Sequence, residues 1–216
     1  MTIDKDELLL ADAFIAEHFS RIISWAVGDV KKCCRMSQDG TCDNGGALVG
    51  AFILLCCALD YFGGLYTGLT KASETKNRYN SFIRKYMSRY DWEKLYDLRW
   101  SLLHYYSPHH FVLYHENSLE TNKNLHLSNS EKGILLHLGW FIKDFEDAVN
   151  KYWEELKMDP ELKIKAWRYY KQQLPIMPLK VEQVFSQSAM SAMATITSIQ
   201  SFPASGTAAP EYWIKK

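Results

Sequence analysis

The sequence lacks the motifs by which several large enzyme classes are recognised. It has no Gly-rich phosphate-binding loop, no Gly-x-Ser-x-Gly nucleophile elbow and no His-Glu-x-x-His helix for a metal. An unrelated helical enzyme of one of those classes therefore gains no support from the sequence. The five cysteines form an odd count without a Cys-x2-Cys or Cys/His metal spacing, which is typical of reduced thiols in a cytoplasm.

The chain also lacks net charge, a basic leader and a long uncharged apolar run. Its 25 basic side chains balance 25 acidic ones, so attraction to nucleic acid has to come from a local excess of charge. The N-terminal MTIDKDELLL is acidic where a signal peptide would be basic. The longest uncharged apolar run is shorter than a bilayer requires. These absences predict a soluble cytoplasmic protein without a membrane segment.

The chain is long, rich in apolar residues and rich in aromatic side chains. With 216 residues, 47% of them hydrophobic, it is long enough to bury a full core, and we expect one helical domain over residues 1–175. The 14% aromatic content suits a packed core, a self-association surface or a base-stacking platform. Residues 186–210 contain no charged side chain. The C-terminal segment 176–216 is therefore predicted to be a low-complexity tail that packs loosely or docks on a neighbouring chain.

Apolar periodicity predicts a mainly helical fold. Apolar residues recur at three- and four-residue steps, and turn residues separate the periodic stretches. The predicted helices span residues 4–34, 47–66, 73–89, 91–106, 128–156 and 160–173. Ser128-x-x-Glu131 forms a capping box that would open the fifth of them. Residues 111–115 and 125–127 flank turn residues, which predicts a small β-hairpin that serves as a lid or a dimer arm.

Two of the predicted apolar helices each contain an isolated charged residue on an apolar face. Asp60 is the only charged residue between Asp43 and Lys71, and Arg99 falls within an apolar stripe of the helix at 91–106. That stripe consists of Trp92, Leu95, Tyr96, Leu102, Leu103 and Tyr106. Since a buried charge without a partner costs several kcal/mol, we predict that Asp60 and Arg99 form an ion pair between helices. The alternative is that Asp60 accepts hydrogen bonds from the backbone or from a tyrosine hydroxyl.

The helix at 91–106 contains an Arg-x4-His pattern, RWSLLH, which runs from Arg99 to His104. With Leu95 before it and an aromatic pair after it, the pattern resembles the signature of the HEPN superfamily, small all-helical proteins many of which are metal-independent ribonucleases. The runs at 56–64, 80–87 and 95–99 resemble a poorly characterised bacterial and plasmid-encoded branch of that superfamily. Trp100 departs from the pattern, because many members carry a polar residue there.

The resemblance implies an all-α, HEPN-like helical bundle, here with the β-hairpin inserted after the motif helix. It implies that a ribose 2′-hydroxyl attacks the adjacent phosphate, that His104 acts as general base or acid and that Arg99 stabilises the charge of the phosphorane. Ser101 and Tyr105 would contact phosphate, and Asp60 would support the site. RNA would be the substrate and no metal or cofactor would be needed. A toxin or defence role, with an antitoxin or another partner protein, belongs to the same expectation.

The two motif side chains point in different directions. At 100° per residue, Arg99 and His104 lie roughly 140° apart around the helix. One chain therefore presents them on adjoining faces. A composite site in a homodimer, with the motif helices of both chains at one cleft, fits this geometry better than a site within one chain.

A local excess of basic residues precedes the motif helix. Residues 71–94 hold seven basic side chains against three acidic ones. Within that run, Arg78, Arg84, Lys85 and Arg89 are the candidate RNA contacts, because a phosphate backbone would need steering towards the motif. The alternative is that these residues form the solvated face of a helix.

Several histidines lie at the end of the motif and after it. They are His104, His109, His110, His115 and His126. Carboxylate and cysteine partners at ligand spacing are missing, so we predict surface or hydrogen-bonded histidines and no metal site.

The second functional hypothesis is a non-catalytic HEPN-like module that binds RNA, a nucleotide or a partner protein, with Arg99 in a structural ion pair. Trp100 favours it, because a bulky indole stands beside the arginine. An open cleft that holds both copies of Arg99 and His104 would support the nuclease. An Arg99 closed off by Asp60 would support the structural role.

Overall fold

The computed structural model describes residues 4–43 and 46–173. This part of the chain is mostly helical and contains one small three-stranded sheet, which confirms the mainly helical class. The helices are α1 (Lys5–Phe14), α2 (Ser20–Cys33), α3 (Leu48–Thr67), α4 (Thr75–Tyr86), α5 (Trp92–Tyr105), α6 (Leu119–Asn122), α7 (Leu138–Met158) and α8 (Pro160–Gln173). The strands are β1 (Phe111–Tyr114), β2 (Asn129–Ser130) and β3 (Gly133–His137). The predicted tail at 176–216 lies outside the described residues.

The N-terminal helical stretch follows the apolar period predicted over residues 4–34. A π-helical segment, Ile15–Phe19, joins α1 to α2. The carboxylate of Asp4 caps α1 by accepting a hydrogen bond from the Asp6 N–H at 3.0 Å. Phe19 is fully buried, and its ring stacks on Trp153 of α7 at a centroid distance of 5.0 Å. The stretch is thereby held against the core.

The central element of the fold is α3, which contacts α2, α4, α5, α7 and α8. Its apolar sequence predicts this position, since a helix that is hydrophobic on every side has to be surrounded. Leu55, Leu59 and Phe62 are 0% exposed. The helix ends after Thr67 at Gly68, whose φ of 73° is the left-handed conformation that glycine adopts without strain.

Two glycines within α3 allow its neighbours to approach closely, and they do not end the helix. A Cβ atom on Gly63 would lie 2.7 Å from the backbone oxygen of Arg78, and one on Gly64 would lie 2.0 Å from Cζ of Tyr169. Both distances are too short for a Cβ atom unless the neighbouring group moves. The backbone of α4 and a ring from α8 therefore pack directly on the α3 backbone.

α3 also has the length and composition of a membrane span. It has 20 residues with a mean hydropathy of 2.0 in its most apolar window. Half of that window is buried inside the protein. Packing, rather than length, therefore marks α3 as the core helix of a folded domain.

The helix predicted over 128–156 begins later, at Leu138. The capping box is wrong, because the hydroxyl of Ser128 donates to the carbonyl of Leu125 at 2.7 Å. His137 caps α7 instead, its Nδ1 accepting from the Trp140 N–H at 3.2 Å. The apolar run in residues 134–136 suits a buried strand as well as a helix, and pairing with β1 decides between the two.

The predicted β-hairpin is wrong in its pairing, although β1 lies within its first strand. β1 pairs in parallel with β3, which places Phe111 opposite Ile134. β2 pairs antiparallel with the other edge of β3. Residues 125–127 form no strand. Local alternation could not reveal this, because the partner of β1 follows α6 in the chain and the pairing is non-local.

The motif helix α5 is largely as predicted, from its capping residue Asp91 to Tyr105. Its buried residues are Leu95, Leu98, Ser101 and Leu102. The predicted apolar stripe is wrong at its C-terminal end, because Leu103 is 44% exposed and Tyr106 is 70% exposed. The buried face of α5 follows positions 95, 98 and 102. Leu103 and Tyr106 lie outside that face.

Candidate functional site

The Asp60 carboxylate lies between two arginines. Arg78 Nε donates to Asp60 Oδ1 at 2.7 Å, and Arg99 Nη2 donates to Asp60 Oδ2 at 3.3 Å. The predicted Asp60–Arg99 ion pair is therefore confirmed. Arg78, which sequence reasoning assigned to RNA, makes the shorter contact and was not foreseen as a partner. It reaches Asp60 because the glycine at position 63 lets the α4 backbone approach α3.

Arg78 is fully engaged inside the protein. Its guanidinium also donates to the carbonyls of Leu69 and Lys71 and to the hydroxyl of Thr75. The side chain is 7% exposed. Burial by itself would lower the pKa of Arg78, but the bond to Asp60 and its charge bring that pKa above its ordinary value. Arg78 is thus a structural ion-pair partner and offers no surface contact to RNA.

Arg99 is held much more loosely. Its side chain is 22% exposed, and the 3.3 Å contact to Asp60 is the hydrogen bond that its guanidinium makes within the described chain. Its Nε is buried and has no hydrogen-bond partner among the described residues. In this cluster two guanidinium groups face one carboxylate, and Arg78 makes the shorter contact to it. Arg99 therefore has donors and charge that no other described group takes up, a state that favours binding an anion.

His104 lies on the exposed flank of α5. Its ring packs on Trp100 at a centroid distance of 5.3 Å, and Trp100 in turn contacts Tyr105 at 5.0 Å. Arg99 instead points towards α3 and α4. The two motif side chains therefore occupy different faces of α5, as their spacing predicts.

The two secondary phosphate candidates differ in access. The hydroxyl of Ser101 donates to the carbonyl of Leu98 at 3.1 Å, and the residue is 1% exposed. Tyr105 is 66% exposed and can contact a ligand. In this conformation only the tyrosine is at the surface.

Four large apolar side chains are exposed at the C-terminal end of α5 and are here called the aromatic surface: Trp100, Leu103, Tyr105 and, directly after the helix, Tyr106. Their exposed fractions are 44%, 44%, 66% and 70%. Exposed apolar side chains next to one another mark an interaction surface more often than single ones do. This surface adjoins both Arg99 and His104 along the helix.

The other predicted RNA contacts lie at the surface, and two of them face α7. Lys85 Nζ is 3.3 Å from Glu155 Oε2, and Arg89 Nη1 is 3.5 Å from Asp144 Oδ2. Arg84 is exposed. The basic excess of residues 71–94 is thus partly balanced by carboxylates of α7, so the four residues do not form one basic surface beside Arg99.

A buried polar cluster that the sequence did not reveal joins three distant segments. Tyr90 donates its hydroxyl proton to Asp144 Oδ2 at 2.7 Å, and His126 Nε2 lies 2.8 Å from the same hydroxyl oxygen. His126 Nδ1 accepts from the His137 N–H at 3.2 Å, which places the ring proton on Nε2. The positions are 36 and 18 residues apart, so no local motif signals the cluster.

This cluster borders a pocket of about 170 Å³ between residues 86–90 and α7. Burial on its own would raise the pKa of Asp144, but hydrogen bonds from His126 and Tyr90 and the charge of Arg89 bring it below its ordinary value. Both ring nitrogens of His126, the Tyr90 hydroxyl and one carboxylate oxygen of Asp144 take part in these bonds. The arrangement joins α7 to the chain segments beside it and supplies no activated nucleophile.

Comparisons with protein-family models, curated proteins and solved structures found no match. The HEPN resemblance consequently depends on the sequence motifs alone.

Proposed function

We propose that this protein is a HEPN-like, metal-independent ribonuclease in which Arg99 binds an RNA phosphate and His104 transfers protons. The observation that supports this best is the state of Arg99. Its neighbour Asp60 is already neutralised by Arg78 at 2.7 Å, while Arg99 keeps a buried Nε without a partner and a partly exposed guanidinium. The exposed part of this guanidinium supplies donors and positive charge for a phosphate that approaches α5.

The reaction follows from the two side chains. The ribose 2′-hydroxyl attacks the adjacent phosphorus as His104 of one chain takes its proton, and the bond to the 5′-oxygen of the next nucleotide breaks. A protonated imidazole returns a proton to that leaving oxygen, so the products are a 2′,3′-cyclic phosphate and a free 5′-hydroxyl. The guanidinium of Arg99 stabilises the extra negative charge on the phosphorane.

The proposed active form is a homodimer. Arg99 and His104 lie on different faces of α5, so one copy cannot aim both at one phosphate without a change in the helix. Antiparallel α5 helices related by a two-fold axis would place Arg99 of one copy near His104 of the other. The aromatic surface of Trp100, Leu103, Tyr105 and Tyr106 supplies apolar area for that contact.

Labelled single-stranded and structured RNAs incubated with the pure protein in EDTA test the proposal. We expect fragments that end in 2′,3′-cyclic phosphate. A mixture of Arg99→Ala and His104→Ala chains tests the composite site, because a mixed dimer holds one intact pair. Random mixing should restore about a quarter of the wild-type rate. Intact RNA with wild-type protein would contradict the activity, and a mixture as inactive as its components would contradict the shared site.

A second candidate function is a non-catalytic module that binds RNA or a partner protein. Trp100 favours it, because its ring packs on His104 and restricts the approach of a substrate to the imidazole. In that case the protein binds labelled RNA with a salt-dependent affinity that Arg99→Ala weakens, and it produces no fragments.

A further inference from the structure

The turn that follows α5 brings two histidines to a carboxylate on that helix. The side chains are Asp97, His109 and His110, and one potential ligand atom from each lies within 4.8 Å of the other two. Asp97 Oδ2 is 3.5 Å from His110 Nε2, and the two imidazole centroids are 4.1 Å apart. From the sequence we predict no metal site, because no carboxylate stands at ligand spacing from the histidines in the chain. Asp97 precedes the two histidines by 12 and 13 residues and is close to them only in the fold.

The histidine pair lies on a turn that the fold holds firmly. The Phe111 N–H donates to the Pro108 carbonyl at 3.0 Å and closes the turn. On its far side, the Ile134 N–H donates to the His110 carbonyl at 3.0 Å. Phe111 is 4% exposed and anchors the turn in the core. Helix α5, which contains Asp97, is fixed by its buried leucines. The backbone is therefore preorganised on both sides of the cluster.

The backbone of His109 is strained. Its φ is 52°, in the left-handed region that costs a residue with a Cβ atom of order 1 kcal/mol or more. Glycine or asparagine would satisfy this turn position with less strain. The conformation places the His109 ring against that of His110, beside Asp97.

A simple ion pair explains only part of this arrangement. Asp97 and His110 are 47% and 40% exposed, and ion pairs at such positions contribute little to stability. That pair also gives no role to His109, whose ring is in contact with His110 and whose backbone carries the strain. A shared ligand that accepts electron pairs from all three side chains accounts for each of these features.

We propose that Asp97, His109 and His110 bind a divalent transition-metal ion, with Zn²⁺ as the best match. Two imidazoles and one carboxylate are ligands that Zn²⁺ takes at about 2.0–2.2 Å, and three protein ligands leave a position open to water or another donor. The three ligand atoms lie within 4.8 Å of one another and would have to move closer together around a bound ion. The site lies outside the proposed cleavage reaction, which needs no metal.

Titration calorimetry of the metal-free full chain with ZnCl₂ tests the site. We expect one Zn²⁺ per chain, and at least a tenfold loss of affinity in Asp97→Asn, His109→Gln and His110→Gln. Two controls should bind as the wild type does. Asp147→Asn removes an exposed carboxylate on α7 that pairs with Lys143, and His104→Gln removes an exposed imidazole of α5 outside the cluster.

Co²⁺ provides a second readout, because its visible d–d bands report ligand number and type. Bands typical of nitrogen and oxygen ligands, lost in Asp97→Asn, support the site. A thiolate-to-cobalt charge-transfer band would overturn the proposal, since it would place the metal on a cysteine such as the exposed Cys57. Absent Zn²⁺ binding, or equal affinity in the wild type and the three ligand variants, would overturn it too. Circular dichroism of each variant verifies that the fold is intact, and RNA cleavage in EDTA tests the ribonuclease separately.

Discussion

Arg78 holds Asp60 at 2.7 Å from inside the core, where the arginine side chain is 7% exposed and the carboxylate side chain 14% exposed. Arg99 reaches the second oxygen of the same carboxylate from the edge of the core, at 3.3 Å. The shorter and more buried pair carries the structural role, so the two arginines should respond differently to removal.

Arg78→Ala should lower the free energy of unfolding by about 3–5 kcal/mol, because it leaves Asp60 with one weak partner and opens a buried space. Arg99→Ala should cost about 1 kcal/mol, since Arg78 still neutralises Asp60 and the Arg99 side chain is partly exposed. Urea unfolding of both variants, with the exposed Arg84→Ala as control, measures the difference. Equal losses for the two arginines would mean that Arg99 is also structural.

The central position of α3 predicts opposite outcomes for two adjacent leucines. Leu55 is 0% exposed and Leu54 is 40% exposed on the same helix. Leu55→Asp should abolish soluble folding, because it buries an unpaired charge, whereas Leu54→Asp should cost about 1 kcal/mol or less. Expression yield and circular dichroism distinguish them. A soluble, helical Leu55→Asp protein would show that α3 is not the core helix.

Gly64 and Gly28 allow a similar comparison between a packed and an open position within a helix. A Cβ atom on Gly64 would overlap the ring of Tyr169, whereas one on Gly28 of α2 has no neighbour within 4 Å. Gly64→Ala should destabilise the protein by about 2 kcal/mol, because the α8 contact has to move. Gly28→Ala should stabilise it by up to about 1 kcal/mol through helix propensity. Thermal unfolding gives the sign of each change, and a neutral Gly64→Ala would contradict the close packing of α8 on α3.

Stability should depend on pH through His137. Burial, the largest cause, lowers the pKa of this imidazole below its ordinary value of 6.5. The unfolded chain then binds the proton more readily, so the contribution of His137 is complete above about pH 6.5 and decreases as the pH falls towards the lower folded-state pKa. His137→Asn keeps a helix-capping side chain but cannot titrate. Urea unfolding at about pH 7.5 and about pH 5.5 should show a smaller decrease for this variant than for wild type or for His104→Asn. An equal loss of stability in His137→Asn and in the wild type would show that His137 does not cause the pH dependence.

The sequence predicted those parts of the fold that depend on local patterns. Helix α3, the start of α5 at Asp91 and the N-terminal stretch follow directly from apolar periodicity and capping. The Asp60–Arg99 pair was also predictable, because two lone charges in apolar helices need partners. The contact between Arg78 and Asp60 was not predictable. A basic residue on an amphipathic helix gives no local sign that a buried carboxylate lies next to it in the fold.

The remaining differences arise from non-local contacts. The start of α7 was misplaced because the run at 134–136 satisfies both a helix and a strand, and the pairing of β3 with β1 decides. The cluster of Tyr90, His126 and Asp144 and the group of Asp97 with His109 and His110 join residues that are distant in the chain. Sequence spacing cannot show such sites without the fold.

The claim that Arg99 has charge available for RNA is tested most directly by measuring RNA cleavage and unfolding on the same Arg99→Ala protein, in EDTA. We expect a loss of cleavage of about a hundredfold or more, together with a loss of stability of about 1 kcal/mol. His104→Ala should show the same separation, and the exposed Arg84→Ala should leave the stability unchanged. Wild-type protein that cleaves neither single-stranded nor structured RNA, or an Arg99→Ala variant that loses 3–5 kcal/mol as a buried ion-pair partner would, contradicts the account.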